Sequence, residues 1–174
     1  MKKNILASLY IIVFVLLIYL LQIYVIGDKT LFSVKPNLIL ISVLVVSLWY
    51  GLYVGTVYSF LIGLFTDMLY SSNIGMFTIA YTIAGMVVGL LHYYNQRESK
   101  ISVIYATFIC VAVFELVEYV YYAALTDSFF NLLYLLKQII ISSVLNIVIT
   151  YAFYSVLLKV TDSIESKIRK EGAL

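Results

Sequence analysis

Residues 36–66 read PNLILISVLVVSLWYGLYVGTVYSFLIGLFT, thirty-one positions without a charge. One helix from Leu38 to Thr66 would be ~44 Å long, well over a hydrocarbon core of about 30 Å. Two helices would each be about 20 Å and therefore short. A break is available at Trp49, Tyr50 and Gly51, where a glycine punctuates the run and two aromatic rings suit the headgroup level.

Working outward, the rest of the chain is equally apolar. Hydrophobic residues make up 64% of the 174 positions and charged residues 11%, against roughly one-quarter charged in an ordinary soluble domain. This defines an all-α integral membrane protein. The alternating ten-residue segments of an outer-membrane barrel are absent. Six spans are expected: Ile5 to Ile26, Leu38 to Tyr50, Leu52 to Phe65, Ile74 to Tyr94, Ile101 to Leu125 and Leu132 to Leu158. Lys2 and Lys3 precede the first run, but its length and the lack of a small-x-small site before Gly27 make it an uncleaved span.

Basic residues decide the orientation, because short cytoplasmic loops are enriched in them. With six spans and both termini cytoplasmic, Lys2, Lys3, Arg97, Lys100, Lys159, Lys167, Arg169 and Lys170 lie inside, and Lys29, Lys35 and Lys137 lie outside. A five-span reading leaves only Lys2, Lys3 and Lys137 inside. The six-span reading is adopted, with a shallow re-entrant hairpin as its structural alternative. Residues 1–158 then form one transmembrane domain. Residues 159–174 form a cytoplasmic tail, in which Val160, Ile164 and Ile168 recur every four residues as in an amphipathic helix. A solvated extension of the sixth span fits that tail equally well.

Six of the eight glycines fall between Gly51 and Gly89. Gly51, Gly55, Ser59 and Gly63 share the third span at four-residue spacing, and Gly85 and Gly89 do so on the fourth. Small residues at this spacing let backbones approach closely, where dispersion contacts replace the missing hydrophobic drive. Intramolecular packing is preferred to a dimer face. On the sixth span Gln138, Ser142, Asn146 and Thr150 form one polar stripe, which should face protein because unpaired polar groups in hydrocarbon are costly.

Acidic residues inside a membrane are functional candidates by default. Glu115 and Glu118 share one face of the fifth span; proton relay or cation binding is the sharp reading, and a structural pair near the outer interface approached by Lys137 is the preferred one. Asp67, at the outer end of the third span, is expected to cap the next segment or hold a loop. His92 reads as an interfacial histidine. The lone Cys110 is a packing residue, since one cysteine allows neither an intramolecular disulfide nor a cysteine cluster. No nucleophile with its base, phosphate-binding glycine loop or paired-metal pattern is present, so neither enzymatic activity, a cofactor nor a nucleic-acid partner is expected.

Three blocks in order carry a family resemblance: KPNLILISVLVV from Lys35, WYGLYVGTVYSFLIGLFTD ending at Asp67, and SNIGMFTIAYTIAGMVVGLL from Ser72. With Pro36, Gly51, Gly55, Gly63, Asp67, Gly75 and Gly85 at matching positions, about a third of the chain resembles the bacterial rod shape-determining MreD family. The last two spans match only in hydropathy. The resemblance implies a non-enzymatic scaffold of the cell-elongation machinery in the bacterial cytoplasmic membrane. Its implied partner is the single-span protein MreC, with the actin-like MreB and the RodA glycosyltransferase and its penicillin-binding partner nearby.

The family is also similar in fold to the substrate-binding S components of energy-coupling-factor vitamin transporters, which supplies the rival function. Such a subunit would show an Ala-x-x-x-Ala coupling motif in its first span, where this chain has only Ala7. An ion-coupled carrier relying on Asp67, Glu115 and Glu118 is the third class, but no inverted repeat is evident.

Overall fold

A computed structural model of the chain describes Gln22 and residues 36–70, 75–92, 100–126 and 131–171. The first expected span apart from Gln22, the expected Gly27 to Asn37 loop apart from Pro36 and Asn37, and the stretch around Arg97 expected on the inner side lie outside the described residues. Every described element is helical.

The charge-free run is helical over Leu38–Tyr70 but is broken by one residue, Gly51, whose φ of 79° and ψ of −169° lie outside the helical region. Only glycine adopts that conformation without a Cβ penalty. The break is a reversal. A hypothetical Cβ on Gly55 would lie 2.7 Å from Ser47 Cα, whereas a straight helix would hold the two residues ~12 Å apart. Helix α1 (38–50) and helix α2 (52–70) therefore lie side by side and antiparallel. α3 (Met76–Leu91), α4 (Lys100–Thr126) and α5 (Leu132–Glu171) follow.

Among the described residues, three stretches are long and apolar enough to cross a membrane: Leu38–Leu69, Ile101–Leu125 and Leu132–Ala152. The first of these is the hairpin. Met76–Leu91 is apolar but shorter. The chain is thus an all-α, multi-spanning membrane protein.

Boundaries depart from the sequence expectation at several points, among them the end of α3, which stops at Leu91 rather than Tyr94. α2 continues past Phe65 to Tyr70, because Asp67 finds its hydrogen-bond donors within the protein and its charge does not have to end the helix. α3 starts at Met76, two residues late, because Gly75 takes φ 110° as its N-cap. α5 runs unbroken from Leu132 to Glu171, so the tail continues the last spanning helix.

The core lies where α1, α3 and α4 meet. Val43, Leu44, Ala80, Ala84, Val88 and Val111 are almost completely buried. Rings weld α3 to α4: Tyr81 stacks on Phe114 with centroids 4.9 Å apart, and Phe77 on Tyr81 at 5.9 Å. Centroid separations of about 4.5–7 Å are those at which aromatic pairs attract beyond simple burial. The outward faces carry large apolar side chains, including Tyr53, Val57, Leu61 and Met68 on α2 and Leu133, Ile140 and Val148 on α5. In a soluble protein such exposure would be a liability; in hydrocarbon it is the expected lipid-facing surface.

Depth within the bundle follows from one contact. The Asn37 N–H donates to Asn146 Oδ1 at 3.2 Å. From that level Gly51 lies ~20 Å in one direction and Asn131 ~22 Å in the other, at the helical rise. α1 therefore begins near the middle of the bundle's length, and α4 and α5 extend well beyond its start.

Candidate functional site

Helix packing around the glycines is the first constellation. A Cβ on Gly63 would come within 2.7 Å of Thr78 Cα and 2.8 Å of the Phe77 carbonyl oxygen. On Gly89 it would meet Leu52 Cα at 2.7 Å, and on Gly85 it would overlap the Ser59 hydroxyl. Real Cβ atoms do not tolerate such distances, so these positions admit hydrogen alone. Together they form a seam along which α2 and α3 run antiparallel with backbones in near contact, while Gly55 performs the same service between α2 and α1. The glycine faces are consequently filled from within the chain, and the groove they would otherwise offer to a partner helix is occupied. Gly75 differs: nothing lies within 4 Å of its hypothetical Cβ, and its role is the positive φ at the start of α3.

Asp67 is the second constellation. Its carboxylate is 1% exposed and accepts the backbone N–H groups of Gly75 and Phe77, each at 3.0 Å, and of Thr78 at 2.8 Å. The Thr78 hydroxyl donates a further bond to Oδ2. These N–H groups belong to the first turn of α3, where no intrahelical acceptor exists and the helix dipole favours a negative charge. Gly75 contributes no capping side chain; the cap is supplied from α2, across the α2–α3 connection. The charge of Asp67 is thereby matched inside the protein.

A third constellation centres on Asn37, a residue that sequence alone does not single out. Asn37 caps α1 by accepting the Leu40 N–H at 2.9 Å. Its amide donates to the Tyr81 hydroxyl at 2.9 Å, which places α3 in the same cluster. Asn146, 1% exposed, accepts the Asn37 N–H and donates to the Ser142 carbonyl at 2.9 Å. On the other side Gln22 bridges the backbone, donating to the Pro36 carbonyl at 3.0 Å and accepting the Leu38 N–H at 2.9 Å. Pro36, buried here, brings no N–H of its own to this deep stretch. Non-helical backbone at membrane depth survives only where protein groups satisfy it, and this knot does so. Its signal in the sequence is the Gln138, Ser142, Asn146, Thr150 stripe, of which Ser142, Asn146 and Thr150 are buried and Gln138 is half-buried. The Thr150 and Ser143 hydroxyls have no hydrogen-bond partner.

Glu115 is buried on α4 and faces the Ser142 hydroxyl and Gln138 amide of α5. Glu118, one turn further on, is half-buried, and Lys137 is exposed. The partners of Asp67 come from α3 and those of Glu115 from α5, so among the described residues these two acids share no partner. Among the described residues no three His, Cys, Asp or Glu side chains are grouped to hold a metal ion. Cys110 is buried and unbonded.

His92 closes the end of the bundle at the Gly51 turn. Its Nδ1 lies 2.7 Å from the Leu48 carbonyl oxygen; a carbonyl only accepts, so the proton sits on Nδ1. The ring edge also packs 3.2 Å from where a Gly51 side chain would begin.

Close glycine packing, a buried carboxylate used as a helix cap and polar knots that satisfy backbone define a multi-pass membrane protein whose polar groups hold helices together. The chain belongs to the rod shape-determining protein MreD family, whose model matches residues 2–160. It is thus a cell-shape family protein of the bacterial inner membrane. No curated protein and no solved structure matches it.

Proposed function

We propose that this chain is a non-enzymatic membrane scaffold of the cell-elongation complex, acting on cell shape and peptidoglycan synthesis by binding an MreC-like single-span protein. The observation that carries this reading is the family match over nearly the whole chain. In this reading six helices cross the membrane with both termini cytoplasmic, in an arrangement similar to the S-component fold. Residues 1–158 are the transmembrane domain and 159–174 its cytoplasmic tail. MreB and RodA with its penicillin-binding partner belong to the same assembly.

The packing supports a scaffold role in a specific way. Because Gly55, Gly63, Gly85 and Gly89 are used within the α1–α2–α3 unit, that unit is a stiff body. A partner helix then docks on side-chain surface. Affinity purification of the tagged protein from mild detergent, with mass spectrometry of what co-purifies, tests the reading. Recovery of a single-span MreC-like protein is expected. Recovery of paired ATPases with a coupling subunit would replace the scaffold with vitamin transport.

A further inference from the structure

We propose that His92 is a latch that keeps Leu38–Tyr70 folded as a hairpin and prevents it from rewinding into one continuous helix. The segment has a real choice between these states. Its residues between Leu38 and Thr66 are uncharged, and apart from Gly51 its backbone is helical throughout. No polar loop separates the arms; a single glycine does.

At such a reversal the last carbonyls of α1 lose their normal partners. The ordinary donor to the Leu48 carbonyl would be the N–H of Leu52, four residues on, and Leu52 lies beyond the turn. The imidazole of His92 supplies a donor in its place at 2.7 Å. The same ring fills the space beside Gly51, with Cδ2 3.2 Å and Cγ 3.5 Å from the hypothetical Cβ. A rewound helix would carry the Leu48 carbonyl back into its own ladder and draw Gly51 away from the ring. Both contacts therefore exist only in the hairpin.

His92 is itself anchored. Its backbone N–H donates to Gly89 at the end of α3, and Gly89 packs directly on Leu52. The latch thus ties the turn to the end of α3, whose other end is tied to α2 by Asp67. α3 is fastened at both ends to the hairpin it lies against.

The test uses spin labels at Leu38→Cys and Leu64→Cys in the full chain, in a Cys110→Ala background, reconstituted in lipid. The hairpin holds these positions about one interhelical distance apart, ~10 Å, and the continuous helix holds them ~39 Å apart. His92→Ala is expected to add a long-distance population that the parent lacks. His92→Asn, whose amide places a donor where Nδ1 stood, is expected to suppress it. An unchanged distance distribution in His92→Ala overturns the proposal. Should His92→Ala fail to fold, amide exchange over residues 48–53 is compared between His92→Asn and His92→Gln. Faster exchange in the Gln variant, whose donor is displaced, supports the latch, and equal exchange overturns it.

Discussion

Tyr58 donates its phenolic proton to the Ser42 hydroxyl across 3.0 Å, although the two residues are sixteen positions apart in a segment that is helical on both sides. A straight helix would separate them by ~24 Å. The bond therefore fixes the antiparallel fold of α1 on α2, and the same folding brings Gly55 against Ser47 and leaves α2 free to run along α3. The most consequential fact about this chain is that its longest apolar segment turns back on itself at one residue.

Gly63→Ala and Gly85→Ala should differ in whether they can be rescued. The obstacle at Gly63 is backbone, Thr78 Cα and the Phe77 carbonyl, whereas at Gly85 the nearest obstacle is the Ser59 side chain. Each single variant is expected to lose about 1–3 kcal/mol, the usual cost of overpacking. Adding Ser59→Gly should recover much of the loss at Gly85 and none at Gly63. Thermal unfolding in detergent, run as a double-mutant cycle, checks this.

Asp67→Ala removes an acceptor from three backbone N–H groups and one hydroxyl. A loss of about 2 kcal/mol or more is expected, since buried donors left unpaired are costly. Asp67→Asn keeps one acceptor oxygen and should fall between Ala and the parent. Equal stability of all three would mean the cap contributes nothing.

Asn37→Leu strips the acceptor from the Leu40 N–H and the partner from the Tyr81 hydroxyl. It should destabilise by about 1–3 kcal/mol, and amide exchange should rise first over the opening turn of α1. Uniform exchange along α1 would argue against a local knot.

The glycine register and the break at Gly51 were legible because small residues at four-residue spacing and a glycine inside an apolar run have direct steric meanings. Much of the rest was not. The capping role of Asp67 toward the next segment is legible, but Asp67 also reads as the end of its own helix, because sequence does not show that its charge is matched by N–H groups eight to eleven residues later. The Asn37 knot was hidden for a similar reason: Asn37 looks like a loop residue beside Pro36, and its partner Asn146 is 109 positions away. His92 bonds to a backbone carbonyl, which leaves no trace in residue type. The Gln138, Ser142, Asn146 and Thr150 stripe announced an inward face but not what it would meet.

Glu115→Gln with Glu118→Gln separates architecture from chemistry. Glu115 faces two hydrogen-bonding side chains of α5, and Gln has nearly the same size and can still bond to both. Folding, partner recovery and cell shape are therefore expected to persist. Loss of shape control with the fold intact would make these carboxylates functional groups.

The hairpin itself is tested most directly by the distance between spin labels at Leu38→Cys and Leu64→Cys in the otherwise unaltered full chain, with Cys110→Ala to keep labelling specific. The folded-back segment predicts a single short separation of ~10 Å between backbones, set by helix–helix packing. A dominant separation near ~39 Å, that of one continuous helix, would contradict the hairpin and with it the glycine seam and the six-span topology.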